Sequence, residues 1–161
     1  TNTDTDNHAP WNKPDTVYFY GGPLSNFAPT PGLRLPYGYH RHVERDRVPA
    51  RTVEHWFQAC KTTSRRAFDN ILACPTPAAA KQAGRQTELR PDWEDVKLEV
   101  MFCALRGKNA LEPYRSGLLL THPRPLAEDS PTDFVWGAAT RSAPTTGATC
   151  SGWRSCTCAA S

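Results

Sequence analysis

Every isoleucine, leucine, valine, phenylalanine, tyrosine and methionine of this 161-residue chain lies before Gly137. From Gly137 to Ser161 the residues are mostly Ala, Thr, Ser and Gly, with Trp153 the one large apolar side chain. A stretch of that kind cannot bury enough surface to offset the entropy of ordering it. The core must therefore be built between Thr16 and Trp136. Three of the six cysteines, Cys150, Cys156 and Cys158, also fall in the aliphatic-free segment. What remains is the size of one domain. With 39% hydrophobic and 22% charged residues and a net charge of +3, the full chain fits neither a disordered acidic tail nor a strongly cationic nucleic-acid coat. No apolar run approaches the roughly 20 residues of a membrane span, and no basic start followed by an apolar stretch marks a signal peptide. A cytoplasmic protein that does not enter a membrane is expected.

Local patterns divide the core-forming part. Residues 1–15 read as a polar, disordered arm, with Trp11 able to tuck onto the body. Thr16 to Tyr20 has strand composition and stops at Gly21-Gly22-Pro23. Between Pro29 and Arg51, prolines, glycines and the basic cluster His40 to Arg51 predict loop with one short strand. Helical signals follow. Thr52 caps a helix with Val53, Trp56, Phe57 and Cys60 on one stripe and Glu54, Gln58 and Lys61 on another. Ser64 caps a second helix, carrying Phe68, Ile71 and Leu72 and ended by Pro75. Thr76, Pro77 and Gly84 predict a third, with Gly84 just past its end. Pro91 opens a fourth, apolar on two faces: Trp93, Val96, Val100 and Cys103 on one, Leu98, Met101 and Leu105 on the other. Such a helix is expected at the centre of the fold. Pro113 starts a fifth through Leu118 to Leu120, and Leu126–Glu128 and Phe134–Trp136 have strand character. The fold class is α+β, a single helix-rich domain with a small β-sheet.

Few residues carry recognisable chemistry. Gly21-Gly22-Pro23 has neither the spacing nor the following helix of a phosphate-binding glycine motif. His40-x-His42 lacks a partner ligand set, and Cys150 with Cys156-x-Cys158 has no apolar surroundings to shape a site, so no metal and no cofactor is expected. The segment Thr-Val-Glu-His-Trp-Phe-Gln-Ala-Cys-Lys (52 to 61) is more informative. Two aromatics anchor the helix, so Glu54 is held in its first turn near the positive helix end. A carboxylate so placed can act as general base or steady a developing cation. From spacing alone, an ordinary exposed Glu54 bonded to Gln58 one turn later is the commoner arrangement. Asn26 equally suits a turn, Asp133 before Phe-Val-Trp is more often a turn residue, and Trp93 is more often plain core.

Taken in order, Gly-Gly-Pro-Leu-Ser-Asn-Phe (21 to 27), the 52 to 61 segment, Ile71 to Arg85, Leu89 to Met101 and Leu126 to Gly137 resemble the NADAR family, also called YbiA-like. The resemblance covers residues 16–137, leaving 138–161 as an atypical tail. It implies an N-glycosidase acting on a phosphorylated ribosyl compound, such as a riboflavin-pathway intermediate, or on an ADP-ribosyl-nucleobase adduct, including ADP-ribosylated nucleic acid. No obligate protein partner is implied. Cleaving such a bond builds positive charge on the anomeric carbon, which a carboxylate must meet. Glu54 matches the family's motif carboxylate, with Asp133 as second acid/base group. The resemblance assigns substrate contacts to Asn26, Phe27, Gln58, Lys61, Trp93 and Trp136, and phosphate contacts to Arg85 and Lys97. A rival reading is a non-catalytic ADP-ribose or NAD-derivative binding module. A third is a nucleic-acid binder using the basic loop 40–51.

The family pattern closes with N-x-L-G-x-x-L-M-x-x-R on a final helix, where this chain has Ala148 to Ala159. Joining the third base of each codon to the first two of the next lets this stretch read N-L-L-G-V-A-L-M-H-V-R. A change of reading frame near Trp136-Gly137 is expected to account for both the missing aliphatics and the excess of cysteines. A chain with such a tail would lack one core helix and one wall of the pocket, and with them much of its activity.

Overall fold

The computed structural model describes residues 15–41 and 45–130. The arm with Trp11, His42, Asp133, the expected strand at 134–136 and the tail with its proposed frame change lie outside the described residues. Within them the chain forms four short strands and five helices: β1 (Val17–Phe19), β2 (Arg34–Pro36), β3 (Arg47–Pro49), α1 (Val53–Ala59), α2 (Arg65–Leu72), α3 (Pro77–Gln86), α4 (Trp93–Asn109), α5 (Tyr114–Thr121) and β4 (Leu126–Glu128). The class is α+β, as expected.

The small sheet is in fact two separate pairs. β1 runs parallel to β4, with Tyr18 opposite Ala127, while β2 and β3 form an antiparallel pair with Leu35 opposite Val48. The second pair corrects the expectation of one strand between Pro29 and Arg51. Leu33 and Leu35 point inward and are fully buried, and alternation over so few residues is easily hidden among prolines and arginines.

Three of the helices begin where their capping residues predict. Thr52, Ser64 and Thr76 each accept a backbone N–H three residues on, from His55, Ala67 and Ala79. This satisfies donors that a first helical turn leaves unpaired. At α3 the expectation fails at the other end. Gly84 lies inside the helix, which runs on to Gln86. Its lack of a side chain serves packing: a Cβ there would lie 2.1 Å from Oε1 and 2.9 Å from Cβ of Gln58.

The centre of the fold is α1, whose seven residues are all buried and which packs against α2, α3 and α4. The long helix α4 instead buries one stripe, Trp93, Val96, Val100, Met101, Ala104 and Lys108. Met101 joins the first face, whereas Leu98 is 45% and Phe102 47% exposed. Polar ties complete the fit of α1. Trp56 Nε1 donates to the Pro36 carbonyl at 2.7 Å. His55 Nε2 lies 3.0 Å from the Cys74 carbonyl and Nδ1 2.8 Å from the Thr52 hydroxyl. A carbonyl only accepts, so Nε2 carries the proton and Nδ1 receives the hydroxyl's. Cys60, Cys74 and Cys103 are free thiols.

Candidate active site

Glu54 sits in the first turn of α1 and is only 6% exposed. The second polar stripe of this helix is therefore buried, which disposes of a solvated surface glutamate. Burial of a carboxylate demands partners. Gln58, one turn on and 3% exposed, donates through Nε2 to Glu54 Oε1 at 2.7 Å. Its Oε1 is turned against Gly84 and has no hydrogen-bond partner among the described residues. The Glu54 backbone N–H donates to the Asn26 carbonyl at 3.0 Å. The loop 21–27 is thereby joined to the helix end where the peptide dipole favours negative charge.

Cations gather beside this carboxylate. Lys61, half-buried just past α1, has its pKa lowered by burial, partly offset by attraction to Glu54 and reinforced by repulsion from Arg85 and Lys81. Its ammonium lies 5.9 Å from the ring centre of Phe57 and 5.8 Å from that of Trp93. These rings pack on each other at 5.1 Å. Lys81 sits 5.8 Å over Phe27, whose ring is 38% exposed. Asn26 Nδ2 reaches Met101 Sδ at 3.6 Å. Loop 21–27, α1, α3 and the start of α4 thus bring together Asn26, Phe27, Glu54, Gln58, Lys61, Arg85 and Trp93. Trp93 is only 6% exposed, so it supports Phe57 and Lys61 and leaves little ring surface for a base to stack on. Lys97 forms an ion pair with Glu94, one turn earlier on the exposed side of α4. Asp133 and Trp136 lie outside the described residues.

A family model for the NADAR domain matches residues 18–153. The chain belongs to the NADAR family. It is 34% identical over 119 residues to N-glycosidase YbiA of Escherichia coli K12, covering 72% of this chain and 68% of that protein. An N-glycosidase of Nostoc punctiforme is 35% identical over 139 residues, covering 80% and 82%. The chloroplastic riboflavin biosynthesis protein PYRR of Zea mays is 31% identical over 129 residues, but the match spans only 20% of its length. The NMR structure of E. coli YbiA superimposes with a TM-score of 0.56 at 30% identity, covering 76% of this chain and 72% of that one. Among the described residues of this NADAR domain no group of three or more His, Cys, Asp or Glu could hold a metal ion. No helix among them is long and apolar enough to cross a membrane.

Two residues at or behind the site escaped the sequence reading. Lys81 stands four residues before Arg85 on α3 and shares its face, a spacing that was available. Lys108 continues the four-residue steps Val96, Val100 and Ala104, so its place on the buried stripe was also readable. A lysine there argues against itself on composition alone.

Proposed function

We propose that this NADAR domain hydrolyses the N-glycosidic bond of a ribose bearing a phosphoryl or diphosphoryl group. The enzyme class, a hydrolase acting on N-glycosyl bonds, follows from the family and from the relatives named N-glycosidase. The phosphorylated ribosyl substrate is a further inference. The observation that carries it is the buried Glu54 carboxylate, held by Gln58 and facing a group of cations. In the proposed reaction the C1′–N bond breaks, its electron pair leaves on the base nitrogen, and positive charge grows on the anomeric carbon. Glu54 steadies that charge or takes a proton from the water that attacks C1′. The products are the free ribosyl phosphate and the protonated base, and Asp133 is proposed to supply the base's proton. Lys61, Lys81 and Arg85 would meet the phosphoryl oxygens, and the exposed Phe27 ring offers a face for the base or sugar.

Both proposed substrate types, a phosphoribosylated riboflavin-pathway intermediate and an ADP-ribosyl-nucleobase adduct, share this chemistry. The test compares the wild type with Glu54→Gln on each, measuring release of free base and, separately, equilibrium binding. Glu54→Gln should keep binding and lose about 10²- to 10⁴-fold in kcat. Equal turnover by both proteins would remove Glu54 from the mechanism. Tight binding of ADP-ribose with no turnover by a chain with its reading frame restored would favour the non-catalytic module.

A further inference from the structure

The last turn of α4 buries an ammonium for which the proposed reaction has no use. Lys108 is 2% exposed. It forms no ion pair among the described residues. Its Nζ donates to the Ser25 carbonyl at 2.7 Å and lies 5.1 Å from the ring centre of Tyr114 on α5. An aliphatic side chain would fill this place without losing hydration. The carbonyl it reaches identifies its task, because Ser25 immediately precedes Asn26.

We propose that Lys108 is a positioning residue, tying the Ser25–Asn26 peptide to α4 so that the Asn26 carbonyl stays on the Glu54 amide and the 21–27 loop keeps one orientation over the site. The catalytic part of this role rests on the hydrolase reading above. Three observations support it. The loop closes its own turn, since Ser25 O also accepts Ala28 N–H at 3.2 Å and Ser25 Oγ accepts Phe27 N–H at 3.1 Å. These bonds shape the turn but do not attach it to the body. Among the described residues, and beyond the bond from the Glu54 amide, the loop's other hydrogen bond to the helices is Asn26 Nδ2 to the Met101 thioether, a weak acceptor, with the Lys81 ammonium over the Phe27 ring beside it. Finally, the loop borders an open cavity of about 370 Å³ lined by Gly21, Gly22, Pro23, Ala28, Pro29 and Tyr114, among others. Packing therefore does not hold it on that side. Burial lowers the Lys108 pKa to about 8, so the donor is still charged at neutral pH, and charged donors make the stronger hydrogen bonds.

The experiment uses the full chain with Lys108→Met, which keeps the stem and removes the donor. Amide hydrogen exchange should accelerate about tenfold or more at Ala28 and Glu54, whose acceptors are Ser25 O and Asn26 O, and stay unchanged at Ala80 in α3. Unchanged exchange at Ala28 and Glu54 overturns the tie, whatever the activity. With turnover in hand, kcat/KM should fall about 10- to 100-fold, as for a misplaced binding group. The loss should not add to that of Asn26→Ala. Full additivity, or a loss far larger than that of Asn26→Ala, overturns the positioning role, the latter because Lys108 would then meet substrate itself. A chain with its reading frame restored that still shows no turnover refutes the hydrolase reading and leaves the exchange result to judge the tie. If Lys108→Met does not fold, a scalar coupling between the wild-type Lys108 ammonium nitrogen and the Ser25 carbonyl carbon decides: its presence supports the tie and its absence overturns it.

Discussion

Gly84→Ala would disturb the candidate catalytic carboxylate without touching it. A methyl group at position 84 would come 2.1 Å from Oε1, 2.9 Å from Cβ and 3.0 Å from Cδ of Gln58. The oxygen can swing away. The Cβ contact, close to the backbone of α1, can be relieved only by shifting the helices apart. Two effects oppose each other. Replacing glycine inside a helix stabilises by about 1 kcal/mol, while overpacking a tight interface costs about 1–3 kcal/mol. Displacing Gln58 also breaks its 2.7 Å bond to Glu54. A hydrogen bond to a charged group is worth about 1.5–3 kcal/mol. The net expectation is a destabilisation of about 1.5–5 kcal/mol, seen as a melting temperature lower by about 5–20 °C. It should come with a fall in kcat/KM of about tenfold or more as Glu54 loses its orienting partner. Thermal unfolding followed by circular dichroism and steady-state release of free base measure the two. Combining Gly84→Ala with Gln58→Ala should recover part of the stability and none of the activity, since the closest contact goes but the bond to Glu54 stays lost. A single variant that melts higher than wild type with unchanged kinetics would refute the tight α1–α3 contact and the role given to Gln58.

Other expectations are simpler to check. Thr52→Ala removes both the cap of α1 and the hydroxyl on His55 Nδ1, and should cost about 1–2 kcal/mol in chemical denaturation. Burial lowers the His55 pKa below its ordinary 6.5. Between that lowered value and 6.5 the unfolded chain binds more protons than the folded one, so stability rises with pH through this window and is lost as pH falls through it. Melting curves between pH 5 and 8 should show the loss, and His55→Gln should flatten that part of the profile. The proposed change of reading frame near Trp136-Gly137 predicts that the source DNA carries a one-base slip there and that restoring the frame raises activity. An open frame without a slip in independent clones would remove that proposal.

How far the site was readable depends on the kind of signal each residue leaves. The burial of Glu54 was not visible, because a polar stripe at helical spacing ordinarily faces water. Whether it does depends on what packs against it, and here the small residues of α3, Ala80 and Gly84, come up to α1 on that side. Lys97 and Arg85 illustrate the same point in reverse. Both are basic residues near matching motifs, yet Lys97 pairs with Glu94 on its own helix while Arg85 joins the charges around Lys61.

Local chemistry alone determined where α1, α2 and α3 begin, because a capping hydroxyl acts on an amide only three residues away. It also marked the stripe of Trp56 and Phe57 that anchors α1 and, through the order of the motifs, the family. Distance-dependent outcomes were decided by tertiary structure alone: α1 rather than α4 at the centre, Gly84 as a point of close approach rather than a helix end, and Lys108 beneath the loop that carries Asn26. Each depends on which surface meets which across dozens of residues, and the packing of interiors, dense enough to feel a single methyl group, settles that only when the whole chain has closed.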